Sequence, residues 1–82
     1  MLTVRDYIDI NRNHIRRAQR ALRMIDRGKL QEDAQYNNEK LAAQIVLLTE
    51  ETEYLRRFAP EHVLTSSEVR EYRAIAKGRR KL

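Results

Sequence analysis

The chain has 82 residues, with 17 Lys or Arg against 12 Asp or Glu, which gives a net charge of +5. Its length supports one domain at most, and the absence of Cys excludes disulfides and thiolate metal sites. The apolar run at residues 41–48 is too short for a bilayer, and the N-terminal residues lack the pattern of a signal peptide. We therefore expect a cytoplasmic protein with no membrane partner.

The charge is unevenly distributed along the chain. Residues 1–29 contain eight basic and three acidic residues, residues 30–60 contain three and six, and residues 61–82 contain six and three. This basic–acidic–basic order predicts local positive surfaces rather than a uniform positive field.

The first predicted helix spans about residues 3–27. Thr3 and Asp6 have the spacing of a capping box, and Gly28 is typical of a helix stop. Apolar residues recur at steps of three and four along one face of this segment. They are Val4, Ile8, Ile15, Ala18, Leu22 and Ile25.

The second predicted helix spans about residues 30–58 and ends before Pro60, which disfavours helical dihedral angles in the residue preceding it. Its apolar positions also recur at steps of three and four, from Ala34 to Ala59. A tight turn containing Gly28 would fold these two long helices into an antiparallel hairpin.

The third predicted helix spans about residues 66–77, with Thr65 and Glu68 as its capping box. The sequence therefore predicts an all-α domain over residues 1–77, consisting of an antiparallel hairpin and a short C-terminal helix. Residues 78–82 form a basic tail that contains Arg79, Arg80 and Lys81.

A second apolar face on the middle helix predicts self-association. Ala43, Val46 and Leu47 point away from the seam that would face the first helix. An isolated hairpin buries little apolar surface, so we expect a homo-oligomer whose copies complete a helical bundle through these three residues. Asn11 and Asn38 lie within the apolar seams; they either fix the register, as in coiled coils, or lie at an exposed edge.

Six arginines occupy a single face of the first predicted helix. At about 100° per residue, they fall within an arc of roughly 80°, well away from the apolar seam, and extend over about 33 Å. We call this set the arginine stripe: Arg5, Arg12, Arg16, Arg20, Arg23 and Arg27.

Three interpretations of the arginine stripe remain open. In the first, the stripe is a solvated face that acidic residues such as Asp33 and Glu51 partly neutralise. In the second it binds nucleic acid, and in the third it docks on an acidic protein. We favour duplex nucleic acid with low sequence specificity, with Arg79, Arg80 and Lys81 extending the surface. The alternative is a small regulator, inhibitor or assembly factor.

The sequence contains no pattern typical of an enzyme. His14 and His62 are far apart and belong to no cluster of metal-ligand spacing, and only two Gly are present, so no phosphate-cradling loop is predicted. We therefore expect no catalytic residues, metal, cofactor or small-molecule substrate.

Overall fold

The computed structural model describes residues 1–34 and 37–78, and over these ranges the chain forms three α-helices and no strand. α1 spans Val4–Asp26, α2 spans Asn38–Leu55 and α3 spans Ser66–Ala76. The all-α prediction is confirmed for this part of the chain. None of these three helices combines the length and the apolar character needed to cross a membrane.

α1 and α2 pack closely along their lengths, as expected of a hairpin. At one end, Val4 of α1 packs against Tyr54 and Leu55 at the end of α2. At the other end, a second apolar cluster joins Ala18 and Ala21 of α1 to Leu41 near the start of α2. Because the start of one helix meets the end of the other, the two helices run antiparallel.

α3 packs on its own chain, against the end of the hairpin where α1 begins. Ile75 is only 1% exposed and lies in the cluster formed by Val4, Tyr54 and Leu55. The loop before α3 also contacts α1, because the backbone N–H groups of Val4 and Arg5 donate hydrogen bonds to the carbonyls of His62 and Pro60 at 2.8 and 3.0 Å. These bonds satisfy two donors of the first helical turn that have no partner within the helix.

The start of α2 differs from the sequence prediction. α2 begins at Asn38 rather than near Leu30, because the side chain of Asn37 caps the helix and accepts a hydrogen bond from the N–H of Lys40 at 2.9 Å. The connection between α1 and α2 is therefore longer than a tight turn, and Leu30 packs in it against the Ala18–Ala21–Leu41 cluster. The predicted helical residues Gln35 and Tyr36 lie outside the described residues.

The other helix ends lie close to their predicted positions. Both predicted capping boxes are present, at Thr3 with Asp6 and at Thr65 with Glu68. Gly28 follows the end of α1 with a φ of +71°, a left-handed conformation that favours glycine. α2 ends at Leu55 rather than near Phe58, and hydrogen bonds of the i→i+3 type tighten the chain there.

Candidate functional site

The arginine stripe lies on the solvent side of α1. The buried residues of this helix, Val4, Asn11, Ala18 and Ala21, face α2 and α3, whereas all six stripe arginines are exposed. Packing of the apolar seam against α2 thus fixes the direction in which the arginines project. The result is an exposed row of arginines along α1, with the exposed carboxylate of Asp9 on the same face between Arg5 and Arg12.

Few acidic side chains neutralise this surface. Within residues 1–34 and 37–78, the arginine stripe makes one ion pair, between Arg5 Nη2 and Glu61 Oε1 at 3.6 Å. Both side chains are largely exposed, so the pair contributes little stabilisation. Among the described residues, the other five arginines of the stripe make no ion pair.

The expected partner Glu51 does not neutralise the stripe. Glu51 is only 8% exposed, and its carboxyl is influenced by the Tyr72 hydroxyl of α3. Within the described part of the chain, Glu51 makes no ion pair with an arginine of the stripe. Desolvation raises the pKa of the Glu51 carboxyl above its usual value.

The stripe ends in a concave cationic pocket. An open cavity of about 310 Å³ at the C-terminal end of α1 is lined by Arg20, Arg23, Met24, Arg27 and Lys29. Three stripe arginines and Lys29 thus surround one concavity, which we call the cationic pocket. Guanidinium and ammonium groups grouped in this way are suited to binding phosphate.

An apolar groove adjoins the cationic pocket and shares Arg20 and Met24 with it. The groove encloses about 450 Å³ and exposes mainly apolar surface. It is lined by Arg17, Arg20, Ala21, Met24, Leu30, Gln31 and Asp33. The helical pattern placed Arg17 outside the stripe and offered no sign of the groove, because it assigned Leu30 and Gln31 to a helix.

A second concentration of positive charge lies on α3. Arg70, Arg73 and Lys77, together with Ala74, line a smaller surface cavity of about 220 Å³. Arg79, Arg80 and Lys81, which were predicted to extend the basic surface, lie outside the described residues.

The structure also reveals a buried polar cluster that the sequence pattern did not predict. Asn11 is 4% exposed; its Nδ2 donates to the Tyr72 hydroxyl at 3.2 Å, and that hydroxyl lies 3.4 Å from Asn11 Oδ1. Burial raises the pKa of the Tyr72 hydroxyl, and Tyr7 lies against the same ring at 5.4 Å between centroids. The only sequence signal was the polar Asn11 within an apolar seam. Asn38, the other seam asparagine, is exposed.

The two histidines lie apart in the structure. His14 is exposed, whereas His62 stacks on Phe58 and its Nε2 lies 2.8 Å from Glu68 Oε1. The pKa of the Glu68 carboxyl is lowered first by the backbone hydrogen bond from Thr65 and then by His62. Among the described residues, no group of three or more His, Cys, Asp or Glu side chains is arranged to hold a metal ion.

The residues predicted to mediate self-association lie on the outer side of α2 and differ in exposure. Ala43 is exposed and Val46 is 55% exposed, whereas Leu47 is partly buried. Leu47 lies close to Gly78, just beyond α3: its Cδ2 is 3.6 Å from the position that a Cβ atom would occupy on that glycine. The C-terminal end of α3 therefore covers part of the predicted face.

Comparison with protein-family models gives no match, and neither curated proteins nor solved structures match the chain significantly.

Proposed function

We propose that this protein binds duplex nucleic acid through the arginine stripe, with little sequence specificity. The observation that carries the proposal is the exposure of six arginines along one helix face with a single weak ion pair among the described residues. A regular row of guanidinium groups suits a ligand with regularly spaced negative charges, such as a phosphate backbone.

The length and chemistry of the stripe support this ligand. Its extent of about 33 Å approaches one turn of duplex DNA. Arginine presents several N–H donors in a planar fork, which allows bidentate contacts to phosphate oxygens. Phosphate contacts position a protein on the duplex but carry no direct sequence information, hence the low specificity that we propose.

The test is the salt dependence of binding. We expect Arg16→Gln/Arg20→Gln/Arg23→Gln to retain its helical circular dichroism and to reduce the slope of log affinity against log salt by about 2.7, since each lost phosphate contact changes the slope by about 0.9. Fluorescence anisotropy with a labelled duplex at about 50–200 mM salt measures this slope.

The matched control removes three cations outside the stripe. Lys40→Gln/Arg56→Gln/Arg57→Gln causes the same loss of charge but should leave the slope close to that of the wild type. Equal changes in the two triple variants would contradict a localised interface. If the wild-type protein does not bind the duplex at about 50 mM salt, the proposal is wrong and an acidic protein surface becomes the better candidate.

The proposal includes self-association through the outer face of α2. Val46 is 55% exposed beside the exposed Ala43, so a second copy packed on this face would remove apolar surface from water. In a symmetric dimer the arginine stripe would occur twice, which suits a duplex. Leu47 would contribute to this contact only the part of its side chain that the end of α3 leaves exposed.

Light scattering on the purified protein at micromolar concentration tests this part of the proposal. We expect a dimer for the wild-type protein and a monomer for Val46→Asp, because a carboxylate at the contact would be desolvated. Val63→Asp, at a residue that is 40% exposed in the loop before α3, is the matched control and should remain dimeric. A monomeric wild-type protein would refute self-association without affecting the test of the stripe.

A further inference from the structure

The junction of the cationic pocket and the apolar groove combines two kinds of recognition surface. The pocket places Arg20, Arg23, Arg27 and Lys29 around one cavity, and the groove beside it exposes mainly apolar surface. Because Arg20 and Met24 line both cavities, a ligand can occupy them together. Such a ligand has an anionic group joined to a flat apolar group.

We infer that this junction binds one unpaired nucleotide at a strand end, with its phosphate in the cationic pocket and its base in the apolar groove. This inference rests on the proposed function, because the junction continues the arginine stripe at the C-terminal end of α1. A base paired within a duplex is stacked on both faces and hydrogen-bonded along its edge, so it cannot enter the groove. An unpaired base at the end of a strand can.

The residues of the groove provide the contacts that an unpaired base requires. Guanidinium planes such as those of Arg17 and Arg20 stack on bases, and the thioether of Met24 is suited to contact with an aromatic ring. Gln31, in the connection after α1, provides a polar group near the groove for the edge of the base. The volume of about 450 Å³ lies within the roughly 300–1,000 Å³ typical of small-molecule sites.

The experiment compares three ends of one labelled duplex by fluorescence anisotropy: a blunt end, a one-nucleotide overhang and the same overhang without its base. We expect the wild-type protein to bind the overhang about tenfold more tightly than the blunt end, a ratio typical of stacking one base. The abasic overhang should lose most of this preference, because its phosphate remains but its base does not.

Two variants test whether the preference for the overhang depends on the apolar groove. Met24→Ala removes groove surface without changing charge and should lower the ratio of overhang to blunt affinity. Ile10→Ala removes an apolar side chain that is 41% exposed on the same helix, outside the groove, and should preserve the ratio. Circular dichroism of both variants checks that they retain the helical fold.

The remaining outcomes separate this inference from the proposed function. Equal affinity of the wild-type protein for all three ends would overturn the inference and leave duplex binding intact. A preference that survives removal of the base, or that Met24→Ala does not reduce, would also overturn it. Absence of binding to every duplex would overturn the proposed function, and the inference with it.

Discussion

Asn11, Glu51 and Tyr72 meet where the three helices join, one residue from each helix. The Asn11 amide bonds to the Tyr72 hydroxyl, and both Asn11 and Glu51 are less than 10% exposed. A buried polar group without a partner costs free energy, so this arrangement favours the one position of α3 in which Tyr72 reaches Asn11. These contacts specify how α3 docks on the hairpin.

Removing both partners of this bond should cost less than the sum of the costs of removing each one alone. We expect Tyr72→Phe to lower the free energy of unfolding by about 1–3 kcal/mol, because it leaves the buried Asn11 amide unsatisfied. The double variant Asn11→Leu/Tyr72→Phe should be destabilised by less than the sum of the single variants. Urea denaturation of all four proteins measures this coupling, with Tyr7→Phe as a control for loss of a hydroxyl from the neighbouring ring. Additive effects would argue against the bond.

Glu51 should make stability depend on pH. Burial raises the pKa of its carboxyl in the folded protein, although Tyr72 and the nearby His14 oppose the shift. The folded state therefore binds the proton of Glu51 more tightly than the unfolded state does, and protonation of Glu51 stabilises the fold. This stabilisation is fully present below the unfolded pKa near 4.5 and is lost as the pH rises through the folded pKa. We expect Glu51→Gln to be more stable than the wild type at neutral pH, with a smaller difference near pH 4. Urea midpoints at both pH values test this expectation, and a less stable Glu51→Gln at neutral pH would contradict it.

At the scale of the elements, local capping determines where the helices begin. Thr3 and Thr65 each accept a hydrogen bond from the N–H three residues later, at 3.4 and 3.3 Å. Asn37 performs the same role for α2 and shifts its start to Asn38. The apolar seam read from the sequence extends further toward the N-terminus than α2 does, because Asn37 satisfies the first donors of a helix that starts after it.

Loss of the N-cap of α3 should lower the free energy of unfolding of the whole domain, because α3 buries Ile75 in the core. We expect Thr65→Ala to lower the free energy of unfolding by about 1 kcal/mol, the usual cost of losing an N-cap side chain. Ser67→Ala, at an exposed position in the first turn, is the matched control and should have little effect. Thermal or urea denaturation compares the two variants. An equal effect at both positions would show that the cap is not responsible.

At the scale of the whole molecule, the arginine stripe should reduce stability when no ligand is bound. Successive arginines from Arg12 to Arg27 lie one helical turn apart, and like charges at this spacing destabilise a helix by about 0.2–0.5 kcal/mol per pair. The Arg5–Glu61 ion pair lies at the other end of the stripe and does not relieve this repulsion. We therefore expect the concentrated positive charge of the stripe to lower the stability of the protein.

Salt should reveal this repulsion without any ligand. We expect Arg16→Gln/Arg20→Gln/Arg23→Gln to have a higher urea midpoint than the wild type at about 10 mM NaCl. The two midpoints should converge near 1 M NaCl, because the Debye length falls from about 30 Å to about 3 Å and the repulsion is screened. A lower midpoint for the variant at low salt would indicate that the arginines are paired after all.

The amino-acid sequence alone was enough to predict the three helices, two of their N-caps and the common face of the six stripe arginines. These features depend on neighbours within one or two helical turns, so spacing along the chain specifies them. For the same reason, Gly28 could be assigned to the end of α1.

The surroundings of these features depend on tertiary packing. The fold buries Glu51 beside Tyr72, packs α3 on its own chain, and places Leu30 and Gln31 beside Arg20 to form the apolar groove. Such contacts join residues distant in sequence, and their geometry depends on how the helices and the connection after Gly28 pack. Helical periodicity showed which way the arginines face, but the combination of charge and cavity at the end of α1 required the fold.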